Sequence, residues 1–243
     1  MKKLLLLGFL LPLMLLSFEA CAGNKKVMKG NKDIVKKEFA ISAYDKIALS
    51  SFHNIVYEQT DTPTGYVTVE ADENVMPYVE VKVVDKELRI RLNEKDSKPS
   101  KFVVYANSAD LKKISLSGAG NFKAGKKVKL NNLNISLSGA GNINFDDLEV
   151  ETIDCGLSGA GNISLVGKAD RADFRVSGAG NVKAEELVAQ HAKCRVSGVG
   201  NINVKALDKL EASVSGVGNI NYRGEPKELK KSQSGMGKVR KRD

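Results

Sequence analysis

From Lys113 onward, apolar and polar residues alternate in short bursts, and the bursts return at a nearly fixed interval. Each return is marked by Ser-Gly-Ala-Gly-Asn or a close variant, starting at Ser117, Ser138, Ser158, Ser177, Ser197 and Ser215, with a decayed Ser-Gly-Met-Gly-Lys at Ser234. The spacings are 21, 20, 19, 20, 18 and 19 residues. Counting each Ser as position 0, four columns are apolar in every full repeat. Position −3 holds Ile114, Ile135, Cys155, Phe174, Cys194 and Ala212, and position −1 holds Leu or Val. Position +5 runs from Phe122 to Ile220, and position +7 from Ala124 to Tyr222. The positions between are mostly polar, as in Lys123, Asn144 and Ser164 at +6. Alternation with period two is the pattern of strands with one buried face. A further apolar pair at −10 and −8 (Leu148 and Val150, Leu187 and Ala189) makes three short apolar segments per repeat.

A fixed period near 20 residues predicts a solenoid, one supersecondary unit per repeat, each burying its neighbour's face. No segment has the 3.6-residue period of an amphipathic helix. The predicted fold is therefore all-β: a three-sided parallel β-helix with coils ~4.8 Å apart. Gly118, Gly120 and their equivalents sit between two strands, where they permit positive φ and close approach of stacked backbones. The Asn column, Asn121 to Asn219, is expected to stack as an amide ladder and to tolerate left-handed corners. The Ser column can form a hydroxyl ladder. Alternation alone leaves open whether the Ala or Val at +2 points in or out. A phosphate-binding loop would need Lys-Ser/Thr after the glycines and a following helix, and a calcium-binding roll would need Asp and a period of nine. The motif is read as coil geometry.

The chain before the repeats is less regular. Residues 1–20 read as a signal peptide: Lys2 and Lys3, then an apolar run from Leu4 to Phe18 that is short for a spanning helix. Ala20-Cys21 resembles a lipobox, with Phe18 and Glu19 atypical upstream; Ala20-Cys21-Ala22 also fits ordinary signal-peptidase cleavage. Cys21 is the expected lipid attachment site, the alternative being an unanchored periplasmic or secreted chain. Residues 21–33 read as a polar basic linker, and 34–240 as one domain, irregular over 34–106, with regular coils over 110–225 and a degenerate C-terminal cap over 226–243. Ile47, Leu49, Asn54, Ile55 and Tyr57 fall on the repeat columns relative to Ser50, so an early coil is expected there. Val79 to Val84 and Leu88 to Leu92 are expected strands around a turn at 85–87, and the N-terminal cap is expected near 34–46. Cys155 and Cys194 lie two coils apart in one inward column, ~9.6 Å by coil spacing, too far for a disulfide. They are expected as buried free thiols.

The formal net charge is +9, and residues 223–243 carry eight Lys or Arg against three acidic residues. Such a tail could meet anionic lipid, lipopolysaccharide or acidic glycan, or simply keep the last coil solvated. Nucleic acid is not an expected partner behind a signal peptide. Two His and no zinc-ligand spacing argue against a metal, and no cofactor is expected. The best cluster of chemistry-bearing side chains is Asp154 and Asp173 at −4 of adjacent coils, beside Arg175 and Arg195 at −2, with His191 nearby. Cross-coil ion pairing on a solvated face accounts for it without catalysis.

The repeated Ser-Gly-Ala/Val-Gly-Asn, behind a leader ending in Cys and an opening Tyr-Asp-Lys-Ile-Ala-Leu at 44–49, resembles the head GIN domain family, named for auto-transporter adhesins and common in Bacteroidetes envelopes. The resemblance covers about residues 36–240. It implies a right-handed parallel β-helix and an exported envelope protein. It defines no catalytic residues. Cys21-Ala22-Gly23-Asn24-Lys25 lacks the acidic residues that often follow the Cys of surface-exported lipoproteins in that phylum, so the periplasmic or surface face stays open. Two functional classes, and a third, follow. The first is a non-enzymatic binding module for an extended polar ligand such as glycan, held at the membrane by a lipid anchor. The second is a polysaccharide-active enzyme, which would need convergent carboxylates in a cleft. The third is an envelope accessory protein with a protein partner, whose sign would be a large exposed apolar patch.

Overall fold

The structure is a computed structural model that describes residues 27–50, 53–63, 65–93 and 97–242. The expected signal peptide and Cys21 lie outside the described residues. The chain enters through β1 (Met28–Lys29) and β2 (Ile34–Ala40), then makes a first coil from β3 (Lys46–Leu49) and β4 (Asn54–Gln59). An interruption follows: β5 (Tyr66–Asp72), a 3-10 turn at Met76–Tyr78, the hairpin of β6 (Val79–Val84) and β7 (Glu87–Leu92), the short β8 (Ser97–Lys98), and β9 (Phe102–Ser108). The regular coils are β10 (Lys113–Leu116), β11 (Asn121–Leu137), β12 (Asn142–Leu157), β13 (Asn162–Val176), β14 (Asn181–Val196) and β15 (Asn201–Val214). The last turn is β16 (Ile220–Arg223), β17 (Glu228–Gln233) and β18 (Val239–Lys241). The result is an all-β solenoid of about six turns, with about 20 residues to the coil.

Coil pairs with coil in parallel and in the register of the repeat. Ile47, Ile114, Ile135, Cys155, Phe174, Cys194 and Ala212 stack in one line, as do Ile55, Phe122, Ile143, Ile163, Val182, Ile202, Ile220 and Val239 in another. The early coil expected at Ser50 is thus present as β3 and β4. All four apolar columns are buried, and so is position −5 (Leu133, Ile153, Ala172, Ala192, Leu210), which the column count had not included. Burying a Val, Leu, Ile or Phe stabilises by roughly 1.5–3 kcal/mol, so these continuous columns are the main support of the fold. Phe122 and Phe145 meet between two of these columns, rings tilted and centroids 5.4 Å apart. Cys155 and Cys194 are buried and unpaired, and burial pushes both thiols up from their ordinary range.

Residues 60–112 depart from the repeat and close the N-terminal end. β7 lies parallel to β3 and β9 parallel to β4; β6, β5 and β2 then add antiparallel strands around them. The cap expected at 34–46 is therefore only partly there: β2 is one edge strand of it, and most of the cap comes from the interruption. Asp85 and Lys86 have φ of 52° and 59°, the double left-handed pair of a tight hairpin turn, as expected between those strands. Charged residues on the edges, Lys36, Lys37 and Glu38 on β2 and Glu80 and Lys82 on β6, discourage further pairing. Residues 28–33, expected within a linker, are docked. β1 pairs with β8, and the buried Asp72 carboxylate accepts hydrogen bonds from Lys32 N (2.8 Å), Ser100 N (2.7 Å) and Oγ (2.6 Å), and Lys101 N (3.2 Å). Burial pushes the Asp72 carboxyl upward, but these donors outweigh it and hold the pKa below its usual value.

The corner glycines serve stacking alone. None of the repeated glycines has a positive φ; among the described glycines only Gly65, Gly167 and Gly224 do. A Cβ on Gly159 would fall well under 3.0 Å from the carbonyl oxygen of Gly139, and Gly141, Gly161, Gly178 and Gly200 meet the coil before them in the same way. The left-handed expectation for this corner is corrected: the stacked backbones approach so closely that no side chain fits. Position +2 points outward, because the corner interrupts the alternation. The Asn column forms the expected amide ladder. From Asn121 to Asn219 each Nδ2 donates to the Oδ1 of the previous coil at 2.8–3.2 Å, beginning at Asn54. Lys238 N donates to Asn219 Oδ1 and ends the ladder. The Ser column forms no hydroxyl ladder among the described residues; Ser117 Oγ donates to the Leu49 carbonyl, and later coils join there by backbone bonds such as Ser138 N to Leu116 O.

The last coil places polar residues at inward positions. Lys231 registers on Ala212, Gln233 on Val214 and Lys241 on Tyr222. Lys231 Nζ sits 4.8 Å over the Tyr222 ring, and Gln233 Oε1 accepts from Val239 N. Inward charge at an open edge blocks the stacking of another chain.

Two outcomes are expected. Gly159→Ala should lower the unfolding midpoint severely or prevent folding. Gly125→Ala, whose added Cβ meets only side-chain atoms at 3.5 and 3.6 Å, should change stability by less than about 1 kcal/mol; equal effects in chemical denaturation would overturn the close-approach account. The second outcome concerns pH. His53 is fully buried at position +3 of the first coil, stacked 4.0 Å from Phe102, and burial lowers its pKa to about 4. The folded state resists the proton that the unfolded chain takes up below its ordinary 6.5. Stability is complete above that value and falls as the pH drops toward 4, by roughly 3 kcal/mol in all. The difference in unfolding free energy between wild type and His53→Phe should carry this slope between those pH values, and a flat difference would show that His53 titrates normally.

Candidate functional site

The face made by the second half of each strand has outward positions −6, −4 and −2, set by the buried −5, −3 and −1 columns. Register places Thr152, Arg171, His191 and Lys209 in line at −6, and Asp154, Asp173, Lys193 and Glu211 in line at −4. Between these rows runs a shallow groove of about 440 Å³, parallel to the solenoid axis, floored by the backbone of Ile153, Ala172 and Ala192.

The four residues singled out in the sequence do come together. Arg175 donates to both carboxylate oxygens of Asp154 at 2.8 Å and to Asp173 at 2.7 Å, and Arg195 donates to Asp173 at 3.3 and 3.4 Å. The guanidinium groups lie outside the groove and hold the carboxylates from their far side. The bond to Asp154 is the largest influence raising the Arg175 pKa. Further along, Lys209 bridges Glu211 (3.2 Å) and Glu228 (3.4 Å). Its pKa is raised first by the bond to Glu211, and that of Glu211 is lowered in return. His191 lies in the −6 row between Arg171 and Lys209, away from Asp154 and Asp173 and on the side of Asp170 and Asp208. The row at −6 was otherwise not anticipated; extending the period-two count one step further would have found it.

Chemically this is a face of satisfied charges. Asp154 and Asp173 each face an arginine, and on this face no two carboxylates converge in a water-excluding cleft, the geometry that acid–base hydrolysis needs. Another ladder shows the same habit: Glu149 is met by Lys127, Lys129 and Lys168 at 3.0–3.5 Å, and the bond from Lys127, followed by that from Lys129, lowers its pKa to about 2. Among the described residues no group of three or more His, Cys, Asp or Glu could hold a metal ion, and no helix is long and apolar enough to cross a membrane. A second concavity of about 430 Å³ opens on the cap, lined by Ile41, Tyr44, Pro63, Asp110 and Lys112 among others.

The chain belongs to the family described as "Putative auto-transporter adhesin, head GIN domain", whose model matches residues 43–226. It resembles solved structures over most of its length. A putative adhesin from Bacteroides fragilis is 26% identical with a TM-score of 0.85, covering 88% of this chain and 100% of its own. A putative lipid binding protein from Parabacteroides distasonis is 31% identical with a TM-score of 0.75, covering 89% and 99%. A putative adhesin from Parabacteroides merdae is 26% identical with a TM-score of 0.72, covering 89% and 99%. Curated proteins offer no match.

Arg175→Gln should reduce stability by no more than about 1 kcal/mol, because its pairs are exposed, and the loss should shrink in about 1 M salt. Phe174→Ala, on the buried side of the same strand, should cost about 3–5 kcal/mol and be indifferent to salt. Denaturant titrations at two salt concentrations distinguish these outcomes.

Proposed function

We propose that the protein is a non-catalytic module of the cell envelope that binds an extended polar ligand, a glycan chain, along the groove between the −6 and −4 rows. In the native host it is exported and held at the outer membrane by a lipid on Cys21. The observation that carries this reading is the repetition of the groove walls. Arg171, His191 and Lys209 present donors from three successive coils, opposite Asp154, Asp173, Lys193 and Glu211. A linear polymer lying along the axis meets a similar set of groups every ~4.8 Å. Each contact is weak and solvated, and together they add through avidity.

Support also comes from the charge pairing. The carboxylates that an enzyme would need free are bonded to Arg175 and Arg195. The family's name and those of the neighbouring structures describe adhesion or lipid binding and no reaction.

The test is a glycan array probed with the chain from residue 22, followed by titration of the best glycan against Arg171→Ala and Lys209→Ala. Each substitution is expected to weaken binding several-fold, and longer oligomers should bind more tightly than short ones. Depolymerisation of a glycan that is lost in Asp154→Asn would instead establish an enzyme. Absence of any glycan binding would overturn the reading.

A further inference from the structure

The corner between the glycine turns carries one outward side chain per coil, at position +2. It is exposed in every coil from the second onward: Ala119, Ala140, Ala160 and Ala179 first, then Val199 (58% exposed), Val217 (49%) and Met236 (78%). The three large residues are stacked on consecutive coils by Val217 N to Gly198 O and Gly237 N to Gly216 O. Between Ala119 and Met236, apolar area on this apex therefore grows toward the C-terminal end. It contributes nothing to the core, since the side chains point away from it.

The same end is strongly basic, with eight Lys or Arg against three acidic residues over 223–243. Lys238 takes the position that Asn holds in the earlier coils, two residues after Met236, and Arg240 follows at the next outward position. Lys230 lies on the other side of the corner. All three are exposed, and among the described residues none of them, nor Arg242, has a carboxylate within ion-pair distance. Elsewhere on the solenoid the cations are largely matched, as in the ladders around Glu149 and Asp173.

We propose that this corner docks on an anionic lipid surface. Met236 and Val217 enter the interface between headgroups and acyl chains, and Lys230, Lys238 and Arg240 bind the headgroup phosphates. An apolar tip rimmed by cations, two of which (Lys238 and Arg240) have no carboxylate within ion-pair distance while Lys230 lies beside Glu211, is what interfacial binding requires: apolar burial for depth, and attraction to negative headgroups for strength. A soluble polyanion would engage the cations and leave Met236 in water. A second copy of the same end would bring like charges together, which disfavours self-association here. The groove proposed for glycan lies on the adjoining face and contains neither Met236, Val217, Lys238 nor Arg240; Lys230 stands just past its end, continuing the −4 row beside Glu211.

The experiment is co-sedimentation with vesicles. The chain from residue 22 is used, because every described strand lies after it and the apolar leader, which would bind lipid by itself, is gone. In about 0.1 M salt the protein should sediment with phosphatidylcholine vesicles containing about one-third phosphatidylglycerol, and not with phosphatidylcholine alone. Met236→Ser with Val217→Ser should weaken that binding roughly fivefold or more, and Lys238→Gln with Arg240→Gln roughly tenfold. Met236→Trp should strengthen it. Melting temperatures should match wild type, since all four positions are exposed. Wild-type affinity in Met236→Ser/Val217→Ser would show a purely electrostatic contact with any polyanion and overturn the proposal, as would failure to sediment with the mixed vesicles. Glycan titration of Met236→Ser/Val217→Ser should remain at the wild-type value, so the groove and the corner stand or fall separately.

Discussion

The structure depends on how closely one coil approaches the next at the glycine corner. There the carbonyl oxygen of one coil occupies the space where the following glycine would carry its Cβ. That contact admits no side chain, so it holds the corner to one spacing and one register. With the corners aligned, Leu stacks on Leu along the −1 column, the Asn amides reach their partners in the coil before, and the outward rows run straight along the axis. The apolar columns contribute most of the stabilisation, but it is the corner that makes them columns. A solenoid with looser turns could bury the same residues and still lose both the ladder and the groove.

The repeating half of the molecule was readable because its long-range contacts recur at a constant sequence distance. Once the period is known, Asp154 must lie beside Asp173, and Arg175 between them, and the structure places them so. The cap was not readable in the same way. β4 and β11 pair across 67 residues, and β2 pairs with β5 in antiparallel fashion, so no period relates them. Asp72 binding the entering chain is a single event with no second copy to announce it. The outward direction of Val199 was ambiguous because alternation fails at a corner, and the role of the glycines was half legible: composition says that a side chain is excluded, and only the stacked coils say by what. Cys21 stays outside the described residues, and its lipid remains an inference from the leader sequence.

Functionally, the arrangement separates what holds the fold from what faces the ligand. Inward positions take Leu, Ile, Val, Phe or Ala with little regard to which, provided each coil is filled. Outward positions are free of that constraint, and here they hold charges of both signs that satisfy one another within the sheet face. An exposed ion pair is worth at most about 1 kcal/mol, against roughly 1.5–3 for a buried aliphatic side chain. The charged rows therefore contribute little to stability and can be rewritten at low cost. That freedom suits a recognition surface, where chemistry must vary while the scaffold does not.

The inward Lys231, Gln233 and Lys241 of the last coil carry a meaning beyond solubility. Because each interior coil pairs strand for strand with its neighbours alone, a 20-residue unit can be copied or deleted with little disturbance to either end. The final coil then acts as punctuation that can travel with the end of the chain, and the cap built from residues 60–112 stays where it is. Copy number becomes a ruler. Each added unit would lengthen the body by ~4.8 Å, extend the amide ladder by one bond and the groove by one set of side chains. Reach and valency would thus be inherited as a count of repeats, open to change by unequal recombination, while the chemistry of each contact changes separately by point substitution.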